Sequence, residues 1–169
     1  MGRYTQTGAN MQLLRYIVLT KETLREITPI ALKTLAELDV KSVDKTTMRV
    51  PYQYLDFQSI WINWHSVYQK KQKDLLFHGA PNALLVVSRH CNEVDGCFNA
   101  GHLELMINAL GLGACMMGFG TFAFAVSPEL RQKVGIKEEE SVIFMLVFGH
   151  PKVKYLRTVN RKKVRYEKI

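Results

Sequence analysis

The stretch Ser141–His150, "SVIFMLVFGH", places seven apolar residues in succession in front of a glycine. β-Branched and aromatic side chains dominate it, and no polar residue alternates with them. A short run of this kind is typical of a β-strand that is covered on both faces. The stretch therefore predicts a strand that is buried on both faces within a layered core.

Two further apolar runs lie upstream of this strand. Leu13–Thr20 is rich in β-branched and aromatic residues, and Ala83–Ser88 is a continuous apolar run that follows a turn marked by Gly79 and Pro81. Helical patterns separate the three predicted strands. We therefore expect one layered core of the α/β or α+β class.

The first helix is predicted to begin after Thr20, which can cap it. Its apolar face recurs at helical spacing and comprises Leu24, Ile27, Ala31, Leu35 and Leu38. Pro29 lies inside this pattern and predicts a bend or a break. An aromatic-rich helix is predicted over Tyr54–Tyr68, closed by a cluster of lysines, and Val40–Pro51 between the two is loop-like.

A long helix is predicted from Asp95 to Leu110 and ends at Gly111, a candidate left-handed cap. The residues expected to face inward are Ala100, Leu103, Ile107 and Leu110. Another helix is predicted to start at Ser127, because a capping serine is followed there by proline, and to stop at Gly135.

The bulk composition is that of an ordinary globular domain. The chain has 169 residues, 47% of them hydrophobic, and a formal net charge of +8. No apolar run is long enough to span a bilayer, and no secretory signal is recognisable. Three cysteines, Cys91, Cys97 and Cys115, cannot all pair. We therefore expect a single domain, residues 1–169, located in the reducing cytoplasm.

The positive charge is concentrated at the carboxyl end. Residues 152–169 carry eight basic residues and one acid. This basic arm calls for an anionic partner. Three interpretations stay open: a solvated tail, an arm that docks on a partner while arginines hold a phosphate, and a nucleic-acid-binding segment.

Motifs for side-chain catalysis and for metal binding are not recognisable. The spacing of His90, Cys91, Cys97 and His102 fits no zinc template, so no metal is expected. The glycine-rich segment Gly111–Gly120 follows a helix, unlike a dinucleotide-binding GxGxxG motif, and it lacks the lysine of a P-loop. It is interpreted either as a helix cap with a turn and a tight packing contact, or as backbone that approaches a planar ligand. If the chain is an enzyme, a cofactor would then supply the chemistry.

Four segments, in order, resemble the nitroreductase family of FMN-dependent flavoproteins. They are "TGANMQLLRYIV", "DLLFHGAPNALLVV", "DGCFNAGHLELMINALGLGACMMG" and "VFGHPKVKYLRTVNRKK". The resemblance implies an α+β sandwich, in which a mostly antiparallel sheet is flanked by helices, assembled as an intertwined homodimer. The helix over Tyr54–Tyr68 and the helix around Leu103–Leu110 would supply the dimer surface, and the basic arm would cross to the partner subunit.

The resemblance also implies a set of FMN-binding residues. They are Thr7, Gly8, Asn10 and Gln12 in the loop before the first strand, Lys71 and Lys73, Asp95, the backbone of Met117, Gly118 and Phe119 near the reactive ring edge, and Arg157, Arg161 and Lys162 for the phosphate. Members of the family usually begin with a segment bearing an Arg-Ser-x-Arg motif. The printed sequence begins after it, with Gln6 and Thr7 where the family has Pro and Ser, so an incomplete flavin site is expected.

The activity implied by the resemblance is an oxidoreductase reaction. NAD(P)H would give hydride to flavin N5, and an acceptor such as a nitroaromatic or a quinone would take the electrons. Some similar proteins of anaerobes carry a ferredoxin module, so a ferredoxin is a further possible partner. Two alternatives stay open: a family member that no longer binds flavin, and a dimer whose basic arm holds an anionic partner such as nucleic acid.

Overall fold

A computed structural model of the chain describes residues 2–40, 43, 57–89, 93–153, 156 and 160–168. Four strands form one antiparallel sheet in the order β1-β2-β4-β3. The strands are β1 (Leu14–Thr20), β2 (Asn82–Ser88), β3 (Gly113–Met116) and β4 (Ser141–Gly149). The antiparallel sheet and the helices around it confirm the α+β class, and β4 is covered on both faces as its apolar run predicted.

Strand β3 is a correction to the sequence analysis, which predicted three strands. The segment Gly111–Gly120 holds the helix end, this short strand, and the start of another helix. Gly111 adopts a positive φ of 76°, as expected for a left-handed cap. Glycine and alanine at 113 and 114 give β3 little strand propensity of its own. Its pairing with β4, from Gly113↔Gly149 to Met116↔Leu146, is what makes it a strand.

The five helices of the described residues are α1 (Lys21–Ala36), α2 (Gln58–Lys71), α3 (Glu93–Ala109), α4 (Gly118–Val126) and α5 (Pro128–Lys133). Thr20 caps α1 and Ser127 caps α5, each accepting the backbone N–H three residues on. Helix α1 is not broken at Pro29. The buried side chains on both sides of this proline, Ile27 and Leu32, hold the helix together across the lost hydrogen bond.

Helices α1, α2, α4 and α5 bury one face of the sheet. The core on this side includes the fully buried rings of Trp61, Phe122 and Phe124. Side chains that alternate along β4 divide between the two faces: Met145 and Val147 belong to this core, and Phe144 and Leu146 to the opposite one. Coverage on both faces explains why β4 lacks polar residues.

Helix α3 covers the opposite face and only partly buries its apolar side chains. Ala100 is buried against Leu84, Val86 and Leu146. Leu110 was predicted to face inward but is 67% exposed, because the helix ends at Ala109 and the chain turns away at Gly111. Helix α2 also starts later than predicted, at Gln58, while Tyr54 and most of the loop-like region Val40–Pro51 lie outside the described residues.

An ion pair fastens the beginning of β1 to the turn before β4. Arg15 donates to Glu140 through Nε at 2.7 Å and through Nη2 at 2.5 Å. The Glu140 side chain is buried and also accepts the Lys137 amide at 3.0 Å. The hydrogen bonds from Arg15, above all, lower the pKa of Glu140 to about 2.

Among the described residues, none of the helices is both long enough and apolar enough to cross a membrane.

Candidate functional site

The loop before β1 has an unusual backbone. Ala9, Asn10 and Gln12 have positive φ values of 49°, 54° and 52°. Asparagine tolerates this region, but alanine and glutamine rarely adopt it, and such strain tends to collect at functional sites. Two hydrogen bonds close the loop: the Gln12 amide donates to Thr7 Oγ1 at 3.1 Å, and Gln12 Nε2 donates to Asn10 Oδ1 at 2.9 Å. The sequence-predicted residues Thr7, Asn10 and Gln12 therefore form one compact unit.

Asp95 anchors this loop to helix α3. Its two carboxylate oxygens accept the Gly8 amide at 3.0 and 3.1 Å, and the residue is only 6% exposed. The first turn of α3 favours a carboxylate, because the helix dipole is positive there. The structure thus brings Asp95 together with the loop, and the two hydrogen bonds to the Asp95 carboxylate position Gly8.

A second polar contact, which the sequence analysis missed, holds the same segment. Asn99 is fully buried and its Nδ2 lies 2.9 Å from Gly2 O, 3.1 Å from Thr5 Oγ1 and 2.7 Å from Tyr16 Oη. Thr5 Oγ1 also lies 3.2 Å from His102 Nδ1. The cluster ties the amino-terminal residues to α3 and β1.

A sequence signal for this cluster exists. Asp95, Asn99 and His102 stand at positions i, i+4 and i+7 of helix α3, so they share one face. A polar stripe on a helix that covers a sheet requires polar partners. The amino-terminal loop supplies them.

A cleft of about 250 Å³ opens at the start of helix α4. Its walls are mostly apolar and include Trp64, Leu76, Met116, Met117, Gly118 and Phe119. The Phe119 ring is held by three aromatic neighbours, with centroid distances of 5.3 Å to Phe57, 5.6 Å to Trp61 and 5.7 Å to Trp64. This cleft accommodates a flat apolar group.

The backbone at the cleft is organised by β4. The Met117 amide donates to Met145 O at 2.9 Å, so this N–H is occupied. The first hydrogen bond of α4 runs from the Thr121 amide to Met117 O at 2.8 Å. Gly118 N–H precedes that bond, and amides at this position of a helix have no partner within the helix. The Phe119 N–H precedes it as well, and both residues line the cleft, so Gly118 and Phe119 remain the candidate backbone donors to a ligand heteroatom.

The predicted cationic residues are dispersed. Lys71 is the exposed last residue of α2. Lys73 lines a second cleft, which shares His78 with the cleft beside Gly118. Arg161 and Lys162 are exposed in the segment 160–168, which has neither helix nor strand, and Arg157 lies outside the described residues, as do His90 and Cys91.

The structure brings the predicted site residues together as two separate groups. The Thr7–Gln12 loop contacts α3 on one face of the sheet, whereas Met117 and Phe119 pack into the core on the other face. The cleft beside Gly118 has no wall residue from that loop. One chain therefore presents these predicted residues on two separate surfaces.

The chain was compared with known proteins in sequence and in fold. The family model described as "Nitroreductase family" matches residues 2–150. A comparison with curated protein sequences finds no significant match.

Several solved structures with the same fold are described as nitroreductases, and three of them serve as examples. The Desulfitobacterium hafniense protein with bound FMN has 23% identity and a TM-score of 0.70, over 99% of this chain and 82% of that one. The Bacteroides fragilis protein with bound FMN has 15% identity and a TM-score of 0.72 over the same shares. The FMN-dependent enzyme of Mycobacterium smegmatis in complex with NADPH has 16% identity and a TM-score of 0.55, over 89% and 74%. Because the family model spans most of the sequence and the fold agrees with that of these proteins, this chain belongs to the nitroreductase family.

Proposed function

We propose that two copies of this chain bind FMN between them and use it to pass an electron pair from NAD(P)H to a small planar acceptor, such as a nitroaromatic or a quinone. Family membership supports this proposal, as do neighbours whose structures hold FMN or NADPH. Bound FMN supplies reversible two-electron chemistry at its ring, and the chain supplies binding, orientation and exclusion of water.

The observation that carries the proposal is the cleft at the start of α4. Its apolar walls suit a flat ring, and the Gly118 amide offers a hydrogen bond to a heteroatom at the ring edge. The residues present therefore fit part of an isoalloxazine ring. At about 250 Å³, however, the cleft is smaller than the roughly 300–1,000 Å³ of most cofactor sites.

A second subunit would complete the site. The Thr7–Gln12 loop carries amide side chains that donate and accept hydrogen bonds, and it lies on the opposite face from the cleft of its own chain. In a symmetric dimer, each loop can meet the cleft of the partner. The basic arm, residues 152–169 of this single domain, would then contribute Arg161 and Lys162 to the phosphate.

The first experiment tests the Gly118 amide. Gly118 is the first residue of α4, a position where proline is tolerated, so Gly118→Pro removes the N–H and keeps the helix. Gly118→Ala keeps the N–H and is the matched control. We expect FMN affinity, measured by quenching of flavin fluorescence, to fall about tenfold in Gly118→Pro, the value of one hydrogen bond, and to change little in Gly118→Ala. A wild-type chain that neither quenches FMN nor oxidises NADPH in its presence would overturn the proposal.

The second experiment tests whether the site is shared. Asn10→Ala weakens the loop and Gly118→Pro weakens the cleft, so homodimers of either variant should bind FMN poorly. Refolding the two variants together produces mixed dimers, in which one of the two sites has both an intact loop and an intact cleft. Recovery of tight FMN binding supports the shared site. Absence of recovery in mixed dimers would show that both groups act within one chain.

The third experiment tests the arm with two ligands. FMN and riboflavin differ in the phosphate, so a phosphate-binding arginine contributes to the affinity for FMN alone. Arg161→Gln should therefore weaken FMN and leave riboflavin unchanged, whereas Lys168→Gln, farther along the arm, should affect neither. Equal losses for both ligands would contradict a phosphate role for Arg161.

A further inference from the structure

A second cleft, of about 450 Å³, lies between the start of α1, the end of α2 and the segment that leads to β2. Its lining includes Lys21, Leu24, Arg25, Tyr68, Lys73 and His78. The sequence analysis singled out Lys73 alone among its cations, because the other two, Lys21 and Arg25, come from a separate segment, the start of α1. We refer to it as the cationic cleft.

The three cations of this cleft form no close ion pair with an acid of the described residues. Among the described residues, neither Lys21, Arg25 nor Lys73 takes part in a salt bridge, whereas Lys133 on α5 pairs with Glu26 of α1 at 3.1 Å. Like charges that converge on a concave surface repel one another. Binding an anion there relieves the repulsion, and low-dielectric walls strengthen the attraction.

The acids near the cleft offset only part of its positive charge. Asp74 is part of the lining, and its carboxylate accepts three backbone amides, from Leu76 at 2.9 Å, Phe77 at 2.8 Å and Gly79 at 3.0 Å. Glu22 is exposed and lies outside the lining. Hydrogen bonds to its own amide and to Thr20 lower the pKa of its carboxyl, and the charges of Arg25 and Lys21 lower it further. Among the described residues, the three cations thus outnumber these two acids.

The rest of the lining favours more than a bare phosphate. The Tyr68 ring and the apolar side chains of Leu24 and Ala80 form part of the wall, together with the hydroxyl-bearing Thr28. Cations beside an aromatic ring suit a phosphate joined to a base or a sugar. A volume of about 450 Å³ lies within the range of small-molecule sites, roughly 300–1,000 Å³.

His78 connects the cationic cleft with the cleft beside Gly118, because it lines both. It has a positive φ of 56°, and Gly79 after it has one of 65°. The Asp74 hydrogen bonds hold this loop in its left-handed conformation. His78 is therefore available to contact a ligand that places a planar ring in the first cleft and phosphates in the second.

We propose that the cationic cleft binds the phosphate groups of the electron-donating nicotinamide dinucleotide. The identity of the dinucleotide as a donor rests on the proposed function above, but its recognition by Lys21 and Arg25 does not require FMN. The test therefore uses the full chain without FMN and measures binding rather than turnover.

Isothermal titration calorimetry with two probes, 2′,5′-ADP and inorganic pyrophosphate, tests the cleft. The test variant is Lys21→Gln with Arg25→Gln. The matched control is Lys33→Gln with Lys70→Gln, which removes two exposed cations of α1 and α2 outside the lining. We expect the Kd for 2′,5′-ADP to rise at least about tenfold in the test variant and to be unchanged in the control, because charge-assisted hydrogen bonds are lost only in the first.

The possible outcomes separate the two proposals. No binding of 2′,5′-ADP to the wild type, or equal losses in both double variants, would overturn the assignment. Pyrophosphate that binds as tightly as 2′,5′-ADP would overturn the nucleotide part of it. FMN quenching by the Lys21→Gln, Arg25→Gln variant should match the wild type. A chain that binds 2′,5′-ADP in the cleft but never quenches FMN supports the cleft and contradicts the proposed function.

Discussion

The two faces of the sheet are covered in different ways. On one face, α1, α2, α4 and α5 surround a core that includes Trp61 and Phe122, and their outer surfaces carry charges such as Lys33. On the other face, α3 is the one α-helix of the described residues, and its outer surface exposes Phe98 (63%) and Leu105 (70%). On the first face, α2 exposes Ile60 (39%) and Ile62 (52%) to a smaller extent. The exposed apolar surface is therefore larger over α3 than over the four helices of the first face.

This difference indicates what each face is for. A helix that is apolar on its outer side as well belongs in an interior or at an interface. The exposed apolar side of α3 supports the proposed homodimer, in which the second copy covers it. The closed face, in contrast, is finished by local pairs such as the Phe119 ring against Trp64. Four predictions test this contrast, taken from the largest effect on free energy to the smallest.

The closed face should be the most sensitive to loss of volume. Trp61→Ala removes a fully buried ring that packs on Phe119 and Phe122, and should lower the free energy of unfolding by about 3–5 kcal/mol. Trp61→Phe is the control: it keeps an aromatic ring and removes Nε1, which is buried with no hydrogen-bond partner among the described residues. We expect urea denaturation to give a much smaller loss for Trp61→Phe. Similar losses in both variants would contradict this account of the packing.

The Arg15–Glu140 pair should make stability depend on acid pH. The pKa of Glu140 is lowered from an ordinary 4.5 to about 2, so its contribution is fully present above about pH 5 and is lost as the pH falls through 2. Glu140→Gln should therefore lower the free energy of unfolding by about 2–3 kcal/mol at pH 7, and the difference from the wild type should become smaller in acid. Glu139→Gln, in the exposed pair with Arg89 at 3.4 Å, should cost under about 0.5 kcal/mol. A gap that stays constant between pH 6 and pH 2 would refute this explanation.

The contact between α3 and the sheet can be tested at Gly96. A Cβ at this position would overlap Cγ2 of Ile143 on β4, so Gly96→Ala should push α3 outward and cost about 1–2 kcal/mol. Gly101→Ala on the same helix meets no atom within 4 Å and should gain up to about 1 kcal/mol from helix propensity. Equal melting temperatures for the two variants in thermal unfolding would show that α3 is loosely docked.

The outer surface of α3 should affect association. Leu105→Ser replaces a side chain that is 70% exposed in one chain, and in the proposed dimer it should weaken self-association by about 1 kcal/mol, or roughly fivefold in Kd. Lys33→Ser, on the outer side of the closed face, should leave association unchanged. Sedimentation equilibrium measures both. An unaltered Kd of self-association for Leu105→Ser would show that this part of α3 does not contribute to the interface.

Local patterns predicted most of the elements, and they failed where a contact between distant segments decides. The caps at Thr20 and Ser127 and the left-handed Gly111 were predictable, because each depends on a few neighbouring residues. Strand β3 was not, because its pairing with β4 outweighs the low propensity of Gly113 and Ala114. The role of Asp95 was also hidden, since the Gly8 amide that it holds lies 87 residues away in sequence.

The amino-acid sequence by itself determined a layered α/β or α+β core, a strand buried on both faces, the basic arm and the order of motifs by which the family is recognised. The first three follow from periodicity, composition and turn chemistry, which act over a few residues, and the resemblance to the family narrowed the class to α+β. Only the tertiary structure decided that the loop and the glycine-rich segment lie on opposite faces, that the Met117 amide is occupied, and that Lys21, Arg25 and Lys73 converge on one cleft. Packing brings distant residues together, and no local signal encodes which of them will meet.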